Sequence, residues 1–387
     1  MTEKSLIFTK GGLQTLDYFA ERMCVAAKEA DLAYTVADVS QPLGEQEFTG
    51  WLQSGKDCIT VMFNNVALMT KAGDENLWEH YGVPVCNFLV DHPRAFSRYL
   101  RNPIQNLHVF CVDRNHVRFI ERFYPGVQAH FLPHGGNAPL RSLPYGERPI
   151  DVLYVGSCQK EPQLYHIDYL SDQGQSFYRS VIPALMQDYT LTCEEAIRRY
   201  LEQSGLSGET EAERRLNEEC ADTCERYVRR RIKKNLLRAL AEAGVSVEVY
   251  GENWTDEGED YGPHVQVHER VSAAECMELM GQAKIAFNIM PWFKDGSHER
   301  VYNAMLSGAL CVTDESVYLK ESLSDGENAV FYDRNDPGNL AERLKELLAK
   351  PEEAMRIAEN GRHHAAQHDL WDMRLKAVLE TVSVSNL

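Results

Sequence analysis

The chain has 387 residues, which is long enough for two domains with separate hydrophobic cores. With 44% apolar and 25% charged residues, its composition is that of a soluble globular protein and excludes a disordered chain. The formal net charge of −18 opposes docking on nucleic acid or anionic lipid, so we expect small molecules or other proteins as partners.

The cysteines and the amino terminus give expectations about the cellular compartment. Ten cysteines are spread mostly through apolar runs with no C-x-x-C pair, which is typical of a reducing environment. The start, MTEKSLIFTK, has an apolar run too short for a signal peptide, and no uninterrupted apolar run is long enough to cross a bilayer. We therefore expect a cytoplasmic protein without an integral membrane segment.

The first part of the chain alternates between strand-like and helix-like segments. SLIFTK (5–10) precedes two glycines and a segment of helical periodicity, and AYTVADV follows as a second strand. Further strand-like runs are DCITVMFNN, VPVCNFLVDHP, LHVFCVD and AHFLPHGG. Because these runs are almost continuously apolar, they predict a parallel sheet covered on both faces. We predict a Rossmann-like domain over residues 1–140.

A second alternating series follows a linker rich in proline and polar residues at 137–149. Its strand-like runs are IDVLYVGSC, VSVEVYGENW, HVQVHE, KIAFNIMPW, ALCVTDES and AVFYD. A mostly helical, charge-rich insertion occupies about 160–240, and we expect it to serve acceptor specificity or a dimer contact. The series predicts a second Rossmann-like domain over 148–365, followed by a helix at 366–387 that packs toward the N-terminal domain. The predicted fold is α/β, with two doubly wound domains.

The segment DGSHERVYNAMLSGALCVTDES (295–316) predicts a helix start at a ligand-binding edge. Asp295-Gly296 is a turn signal, Ser297 a good N-cap, and Gly308 a helix end, after which ALCVTD forms the next strand. The first helical turn then carries the three side chains most suited to a ligand, namely His298, Glu299 and Arg300.

An anion is favoured at this helix start because amide groups and the positive end of the helix dipole point at it. The guanidinium of Arg300 suits phosphate, and Asn303, one turn later, suits a ribose hydroxyl. In the alternative interpretation, Arg300 pairs with Glu299 or Glu315 on a solvated helix start.

Other strand ends at the same predicted edge supply further donor-binding candidates. These are Gly156, Ser157 and Lys160 in VGSCQK, Asn253 and Trp254 in YGENW, and Asn288 in FNIMPW. Trp254 can stack on a nucleobase, but it can equally be a core aromatic. Similarly, the glycine of VGSCQK can belong to a plain strand-to-helix turn. The basic run RYVRRRIKK (226–234) favours a solvated helix face or an acceptor wall over nucleic-acid binding.

The N-terminal domain offers candidates for a catalytic base. Asp91 and His92 follow an apolar strand just before a proline, and His92, tuned by Asp91, can accept a proton near neutral pH. The alternative is a pair that only organises a loop. Secondary candidates near a ligand are Gly11, Gly12, His134 and Gly135.

The run HERVYNAMLSGALCVTDES, with the segments YLKESLSDGENAVFYD and LAERLKELLAKPEEAMRIAENGRHHA, resembles the C-terminal domain of group 1 glycosyltransferases of the GT-B fold. The resemblance covers roughly 285–375, and the motifs VDHP and LPHGG are similar to a bacterial branch of that family. It implies a nucleotide-sugar donor, with UDP favoured, on the C-terminal domain and an acceptor that approaches from the N-terminal one. Where the family has two glutamates, this sequence has Gly296 and Asn303, and its tail reads HDLWDMR.

These observations predict a metal-independent glycosyltransferase that moves a sugar from a nucleotide-sugar to a protein or glycan. Because no D-x-D motif occurs in the chain, we expect Arg300, helix amides and Lys160 to stabilise the leaving phosphate without a metal or another cofactor. Two alternatives remain open: a nucleotide-sugar epimerase or hydrolase on the same fold, and a non-catalytic partner subunit. We also expect that the chain can form a homo-oligomer.

Overall fold

The structure is a computed structural model that describes residues 5–40, 50–53, 57–160, 162, 164–256 and 258–385. It divides into two compact units. Unit 1 holds the chain up to Asn137, the segment Gly296–Tyr302 and the chain from Ala365 onward. Unit 2 holds Ala138–Asp295 and Asn303–His364.

Unit 1 is built on a six-stranded parallel sheet of order β2-β1-β3-β6-β7-β8. Its strands are β1 (Ser5–Lys10), β2 (Tyr34–Asp38), β3 (Cys58–Phe63), β6 (Val85–Leu89), β7 (Leu107–Cys111) and β8 (Gln128–Phe131). The two-residue strands β4 (Lys71–Ala72) and β5 (Glu75–Asn76) form a separate antiparallel pair. The described helices of this unit are α1 (Gln14–Glu29), α2 (Leu77–His80), α3 (Ser97–Arg101), α4 (Arg114–Phe123) and the C-terminal α14 (Trp371–Ser385).

The C-terminal helix α14 contributes to the core of unit 1. Trp371 is buried and its ring lies 5.5 Å from that of Phe19 on α1 and 5.8 Å from that of Phe63 on β3. Leu375 and Val378, on the same helix, are buried in the same cluster. Burial of this apolar stripe anchors the end of the chain to the sheet that its beginning forms.

Unit 2 is built on a second six-stranded parallel sheet, of order β11-β10-β9-β12-β13-β14. Its strands are β9 (Ile150–Val155), β10 (Val247–Tyr250), β11 (Val265–His268), β12 (Ala283–Asn288), β13 (Leu310–Asp314) and β14 (Val330–Tyr332). The helices between β9 and β10 are α5 (Asp172–Gln187), α6 (Cys193–Gln203), α7 (Thr210–Glu219) and α8 (Ala221–Glu242). The later helices are α9 (Ala273–Met280), α10 (Glu299–Leu306), α11 (Val317–Ser322), α12 (Pro337–Ala349) and α13 (Pro351–His368).

The two strand orders fix where each sheet has its topological switch point. In unit 1 the chain leaves β1 toward β2 on one side and continues from β3 on the other, so the switch point lies between β1 and β3. In unit 2 it lies between β9 and β12. Ligands of doubly wound sheets bind beyond the carboxyl ends of the strands at such points. The predicted α/β class with two doubly wound domains is confirmed.

One segment belongs to a different unit from the one that the predicted domain limits of 1–140 and 148–365 imply. Residues 296–302 are part of unit 1, because Gly296 forms an antiparallel bridge with Asp113. A Cβ atom on Gly296 would lie 2.3 Å from the carbonyl oxygen of Val112, so only glycine fits there.

Among the residues that the structure describes, no helix has both the length and the apolar character needed to span a bilayer.

Candidate active site

The first turn of α10 places a carboxylate beside an imidazole. His298 precedes the helix, and its Nδ1 lies 2.6 Å from Oε2 of Glu299. The same nitrogen lies 3.4 Å from the amide of Arg300, but it cannot both donate to a carboxylate and accept from an amide. The shorter contact decides, so Nδ1 carries the proton and donates to Glu299.

The sequence predicts that Ser297 caps this helix, but in the structure its side chain has a different partner. Its hydroxyl is fully buried and accepts a hydrogen bond of 2.7 Å from the hydroxyl of Tyr302. The amide of Ser297 donates to the carbonyl oxygen of Val112, which holds the segment on unit 1. The other end of α10 is as predicted, since Gly308 follows the helix with a φ of +68°.

A second imidazole, that of His134, approaches the same carboxylate. Its Nε2 lies 3.9 Å from Oε2 of Glu299, and its ring centroid lies 6.0 Å from that of His298 in a stacked arrangement. The side chain of His134 is buried. Glu299 therefore interacts with two histidines, one from the LPHGG loop and one from the start of α10.

Burial shifts the pKa values of Glu299 and His134 in opposite directions, and neighbouring charges act on both. Burial raises the pKa of Glu299, but the neighbouring His298, His134 and Arg300 outweigh it, so that the pKa lies well below its usual value. Burial lowers the pKa of His134 to about 4, although the nearby carboxylate of Glu299 opposes that change. At neutral pH the cluster thus contains a carboxylate and a neutral His134.

Arg300 lies in the same turn and is only 9% exposed. Its charge lowers the pKa of Glu299, so the two residues interact electrostatically, as in the ion-pair interpretation. The predicted alternative partner, Glu315, instead pairs with Lys320 at 3.0 Å. Asn303, one turn later on α10, is buried, and its carbonyl oxygen accepts from the hydroxyl of Ser307.

The LPHGG loop that carries His134 packs tightly against the C-terminal helix. A Cβ atom on Gly135 would lie 2.5 Å from the indole ring of Trp371, so glycine is required by packing. The next amide, that of Gly136, donates to the carbonyl oxygen of Asp369 at 2.6 Å. Packing thus explains why residue 135 is glycine. Its place near a ligand stays a prediction.

Asp91 and His92 follow β6, and each has a partner of its own. The exposed carboxylate of Asp91 accepts a 2.8 Å hydrogen bond from Asn64. The Nδ1 atom of His92 accepts from the amide of Arg94, and its ring packs edge-on against His116, with centroids 4.5 Å apart. These contacts are those of a pair that organises a loop, and a base at His92 would have to use Nε2, because Nδ1 already accepts from the amide of Arg94.

Gly11 and Gly12 follow β1, at the switch point of unit 1. Their amides both donate to Oδ1 of Asp17, at 2.8 and 3.1 Å. Gly11 has a φ of +104°, and a Cβ atom there would lie 2.5 Å from the amide nitrogen of Ser40. The structure therefore uses these amides to bind a carboxylate of its own chain, where the sequence predicts a contact with diphosphate or acceptor.

At the carboxyl edge of unit 2, the predicted donor loops after β9 and β10 are joined to each other. The amide of Gly156 donates to the carbonyl oxygen of Tyr250, and the amide of Glu252 donates to the hydroxyl of Ser157. Asn253 Nδ2 donates to the carbonyl oxygen of Cys158 at 3.1 Å. The structure thus brings Gly156, Ser157 and Asn253 together, as the sequence predicts.

Trp254 is not placed to stack on a base. It is 1% exposed, its Nε1 donates to the carbonyl oxygen of Gly156, and its ring packs edge-on against Tyr154. Of the two interpretations of this residue, the core aromatic agrees with the structure. Asn288 is also buried, and its amide donates to Thr313 at 2.9 Å, whereas Lys160 is exposed.

Three cations of the basic run on α8 are buried, so the predicted solvated face is wrong for them, whereas Arg231 is exposed and Arg226 is partly exposed. Arg230, Lys233 and Lys234 are at most 3% exposed. Arg230 donates to the carbonyl oxygen of Gln159 at 2.8 Å, and Lys233 donates to that of Ser157 at the same distance. These cations hold the loop after β9 in place. In the sequence, only the run of basic residues pointed to them.

A further charged group at this edge was missed by the sequence analysis. Arg334, which follows β14, lies 3.3 Å from the fully buried carboxylate of Asp314 at the end of β13. Lys294, which follows β12, donates to the carbonyl oxygen of Tyr189, and burial lowers the pKa of its ammonium group to about 7. Lys294 and Arg334 belong to no motif and are distant in sequence, so only the fold reveals the group.

Two parallel, doubly wound sheets with loops and cations at a switch point are an arrangement found in many nucleotide-binding enzymes. Residues 229–380 match a family model described as glycosyl transferase-like. A comparison with curated proteins gives no match. The family match and the fold agree, and together they confirm that the chain carries a glycosyltransferase domain.

Solved structures of glycosyltransferases share the fold over the whole chain. An alpha-glucosyltransferase in complex with UDP-glucose and DNA superposes with a TM-score of 0.60 at 12% identity, covering 98% of this chain and 99% of that one. Sucrose-phosphate synthase from Thermosynechococcus elongatus gives 0.52 at 12% identity, covering 98% of both chains. Anabaena HepE in complex with UDP and glucose gives 0.51 at 12% identity, covering 98% and 99%. The chain has the GT-B fold, as its motifs indicate.

Proposed function

We propose that this glycosyltransferase moves a sugar from a nucleotide-sugar, with UDP as the favoured nucleotide, to a protein or glycan acceptor without a metal ion. The observation that carries the proposal is the buried cluster at the start of α10. It holds a carboxylate between two imidazoles next to a permanently charged arginine, and His298, Glu299 and Arg300 lie within the residues that match the glycosyltransferase family model. UDP is favoured because solved structures of the same fold contain UDP or UDP-glucose.

The reaction needs charge in two places. Transfer breaks the bond between the sugar and the diphosphate, so negative charge grows on the leaving phosphate. Arg300 is the cation that we assign to this phosphate, and Asn303 on the same helix can hydrogen-bond a ribose hydroxyl. The loop after β9, held by Arg230 and Lys233, supports binding of the nucleotide at the switch point of unit 2.

The acceptor hydroxyl must lose a proton as the new bond forms. His92 remains our proposal for the base, with Asp91 beside it in the chain. We assign His298, Glu299 and His134 to contacts with the donor. The net charge of −18 supports a protein or glycan acceptor over DNA, although a glucosyltransferase of this fold was solved with DNA.

Metal independence rests on the sequence, in which no D-x-D motif occurs. The absence of a membrane-spanning helix from the described residues is consistent with our proposal of a cytoplasmic enzyme.

A donor screen tests the proposed function. UDP-, GDP- and dTDP-sugars are each mixed with the protein, with and without EDTA, and melting temperature and nucleotide release are measured. We expect a UDP-sugar to raise the melting temperature, and nucleotide release to require an acceptor and to be unaffected by EDTA. An isomerised donor would instead indicate an epimerase, and acceptor-independent release a hydrolase. Binding without any turnover would indicate a non-catalytic subunit, and all three results would overturn the proposal.

A further inference from the structure

Arg374 on α14 donates three hydrogen bonds around the LPHGG loop. Its Nε donates to the carbonyl oxygen of His134 at 3.0 Å, and its Nη1 to that of His368 at 2.9 Å. Its Nη2 donates to the carboxylate of Asp369 at 2.7 Å. Asp369 in turn accepts the amide of Gly136 through its carbonyl oxygen at 2.6 Å. The C-terminal segment therefore anchors the backbone at His134 itself and again two residues later, at Gly136.

This pair is buried, with Arg374 7% and Asp369 4% exposed. Removing two charges from water is costly, and a buried ion pair is often no more stabilising than an apolar pair of the same size. What the pair adds is geometry, because a guanidinium donates in fixed directions in one plane. The anchors leave the LPHGG loop little freedom, since Gly135 is already in contact with Trp371.

The anchored residue has a ring nitrogen that remains available. Among the described residues, none forms a hydrogen bond with Nδ1 of His134, although this atom is buried. The ring is faced by the charged or titratable groups of Glu299, His298 and Arg374, and by the ring of Phe19. Buried polar atoms usually have a partner, so this imidazole nitrogen is one that a bound ligand could satisfy.

We propose that Arg374 and Asp369 are positioning residues, which hold the imidazole of His134 against Glu299 so that it can hydrogen-bond the substrate in the transition state. This inference rests on the proposed function. It extends the site to two residues of the C-terminal segment that touch no substrate themselves.

Steady-state kinetics of Arg374→Gln, Arg374→Lys and Asp369→Asn test the proposal. We expect Arg374→Gln to lower kcat at least tenfold and to change the KM for the donor less than twofold, because the substrate contact of a displaced His134 is lost mainly in the transition state. Arg374→Lys keeps the charge but not the planar geometry, so its kcat should stay well below that of the wild type. Lys376→Gln, an exposed position on the same helix, is the matched control and should leave kcat unchanged.

A second readout does not depend on activity. The pKa of His134 is measured by NMR, with its signal identified by its loss in His134→Gln. Burial lowers this pKa to about 4, and the charge of Arg374 also lowers it, so Arg374→Lys, which keeps that charge, shows the effect of the loop alone. A loop that loosens and admits water should bring the pKa toward 6.5 in both Arg374→Gln and Arg374→Lys and leave it unchanged in Lys376→Gln. If Arg374→Gln does not fold, Asp369→Asn and Arg374→Lys carry both tests.

The outcomes separate this inference from the proposed function. A wild-type protein that turns over no nucleotide-sugar refutes the proposed function, and with it the catalytic part of this inference, while the NMR titration still decides whether the pair positions His134. An active wild type with a kcat within twofold in folded Arg374→Gln overturns the positioning role. An unchanged His134 titration in that variant overturns it as well.

Discussion

At the scale of single residues, Glu299 determines the protonation states around it. As a carboxylate it can only accept, so Nδ1 of His298, 2.6 Å away, carries a proton toward it. The charge of Arg300 lowers the pKa of Glu299, and this arginine is largely buried in the same turn before any ligand binds. A preorganised cation can stabilise a developing phosphate charge with little rearrangement during the reaction.

The role of Arg300 is tested by Arg300→Ala. Loss of a charge-assisted phosphate contact should cost about 1.5 to 3 kcal/mol and weaken donor binding roughly tenfold or more. Isothermal titration with the donor identified by the screen measures this. Lys320→Gln, which changes an exposed cation, is the control and should bind donor normally. Unchanged affinity and turnover in Arg300→Ala would refute the phosphate contact.

The two interpretations of His92 differ in kinetics. If its Nε2 is the base, His92→Ala should lower kcat at least a hundredfold while donor affinity stays nearly constant, in line with the usual contribution of general bases. If its ring only packs against His116 and caps Arg94, kcat, donor affinity and melting temperature should fall together. Measuring all three quantities on one preparation decides between them.

At the scale of elements, helix α8 shows how a helix can support a loop on a neighbouring strand. Arg230 is 1% exposed and contacts both carboxylate oxygens of Asp256, at 2.9 and 3.3 Å. Lys234, one turn further, pairs with Glu259. Carboxylates in the segment after β10 thus neutralise these charges of α8. Arg230 also donates to the carbonyl oxygen of Gln159 and so holds the loop after β9.

Arg230→Ala should therefore destabilise the protein strongly. The substitution removes the hydrogen bonds of this buried guanidinium to Asp256 and to the carbonyl oxygen of Gln159, and Lys234 stays as the buried cation beside the two carboxylates. Each charge-assisted hydrogen bond that is lost typically costs about 1.5 to 3 kcal/mol. Chemical denaturation measures the change in the free energy of unfolding. Arg226→Ala on the same helix removes an exposed i,i+4 pair with Asp222 and should cost less than about 1 kcal/mol. Similar losses in the two variants would contradict this account of α8.

The elements themselves could be predicted because their signals are local. Apolar runs marked the long strands, and the turn at Asp295-Gly296 and the glycine at 308 marked the region of α10. The partners of side chains could not be predicted, since they depend on contacts distant in sequence. The basic run on α8 looked solvated because Asp256 and Glu259 lie more than twenty residues away.

The candidate site follows the same rule. The sequence identified His298, Glu299 and His134 as candidates, but not that Glu299 interacts with both histidines, because the LPHGG loop and α10 are more than 160 residues apart. Similarly, the amides of Gly11 and Gly12 looked available until Asp17 was seen to bind them. Gly296, which stands where the related family has a glutamate, is explained only by its packing against Val112.

At the scale of the whole molecule, stability should depend on pH through buried neutral histidines. Burial lowers the pKa of His134 to about 4, and it also lowers the pKa values of His108 and His130, which face each other on β7 and β8. The unfolded chain binds protons at these positions below about pH 6.5, whereas the folded protein binds them only at a lower pH, near 4 for His134. The stability that neutral histidines provide is therefore complete above pH 6.5 and is lost as the pH falls toward 4.

The contribution of His134 to this pH dependence can be isolated by comparing the wild type with His134→Gln. Between pH 7 and pH 5 the free energy of unfolding of the wild type should fall by about 2 kcal/mol more than that of the variant, because a group with a folded pKa near 4 stays neutral while its unfolded counterpart becomes protonated. Glu299, whose pKa is depressed, should affect stability only below about pH 4.5, outside this window. Urea denaturation at the two pH values measures the difference. An equal fall in the free energy of unfolding for the two proteins would show that His134 is solvated in the folded state, contrary to the buried cluster described above.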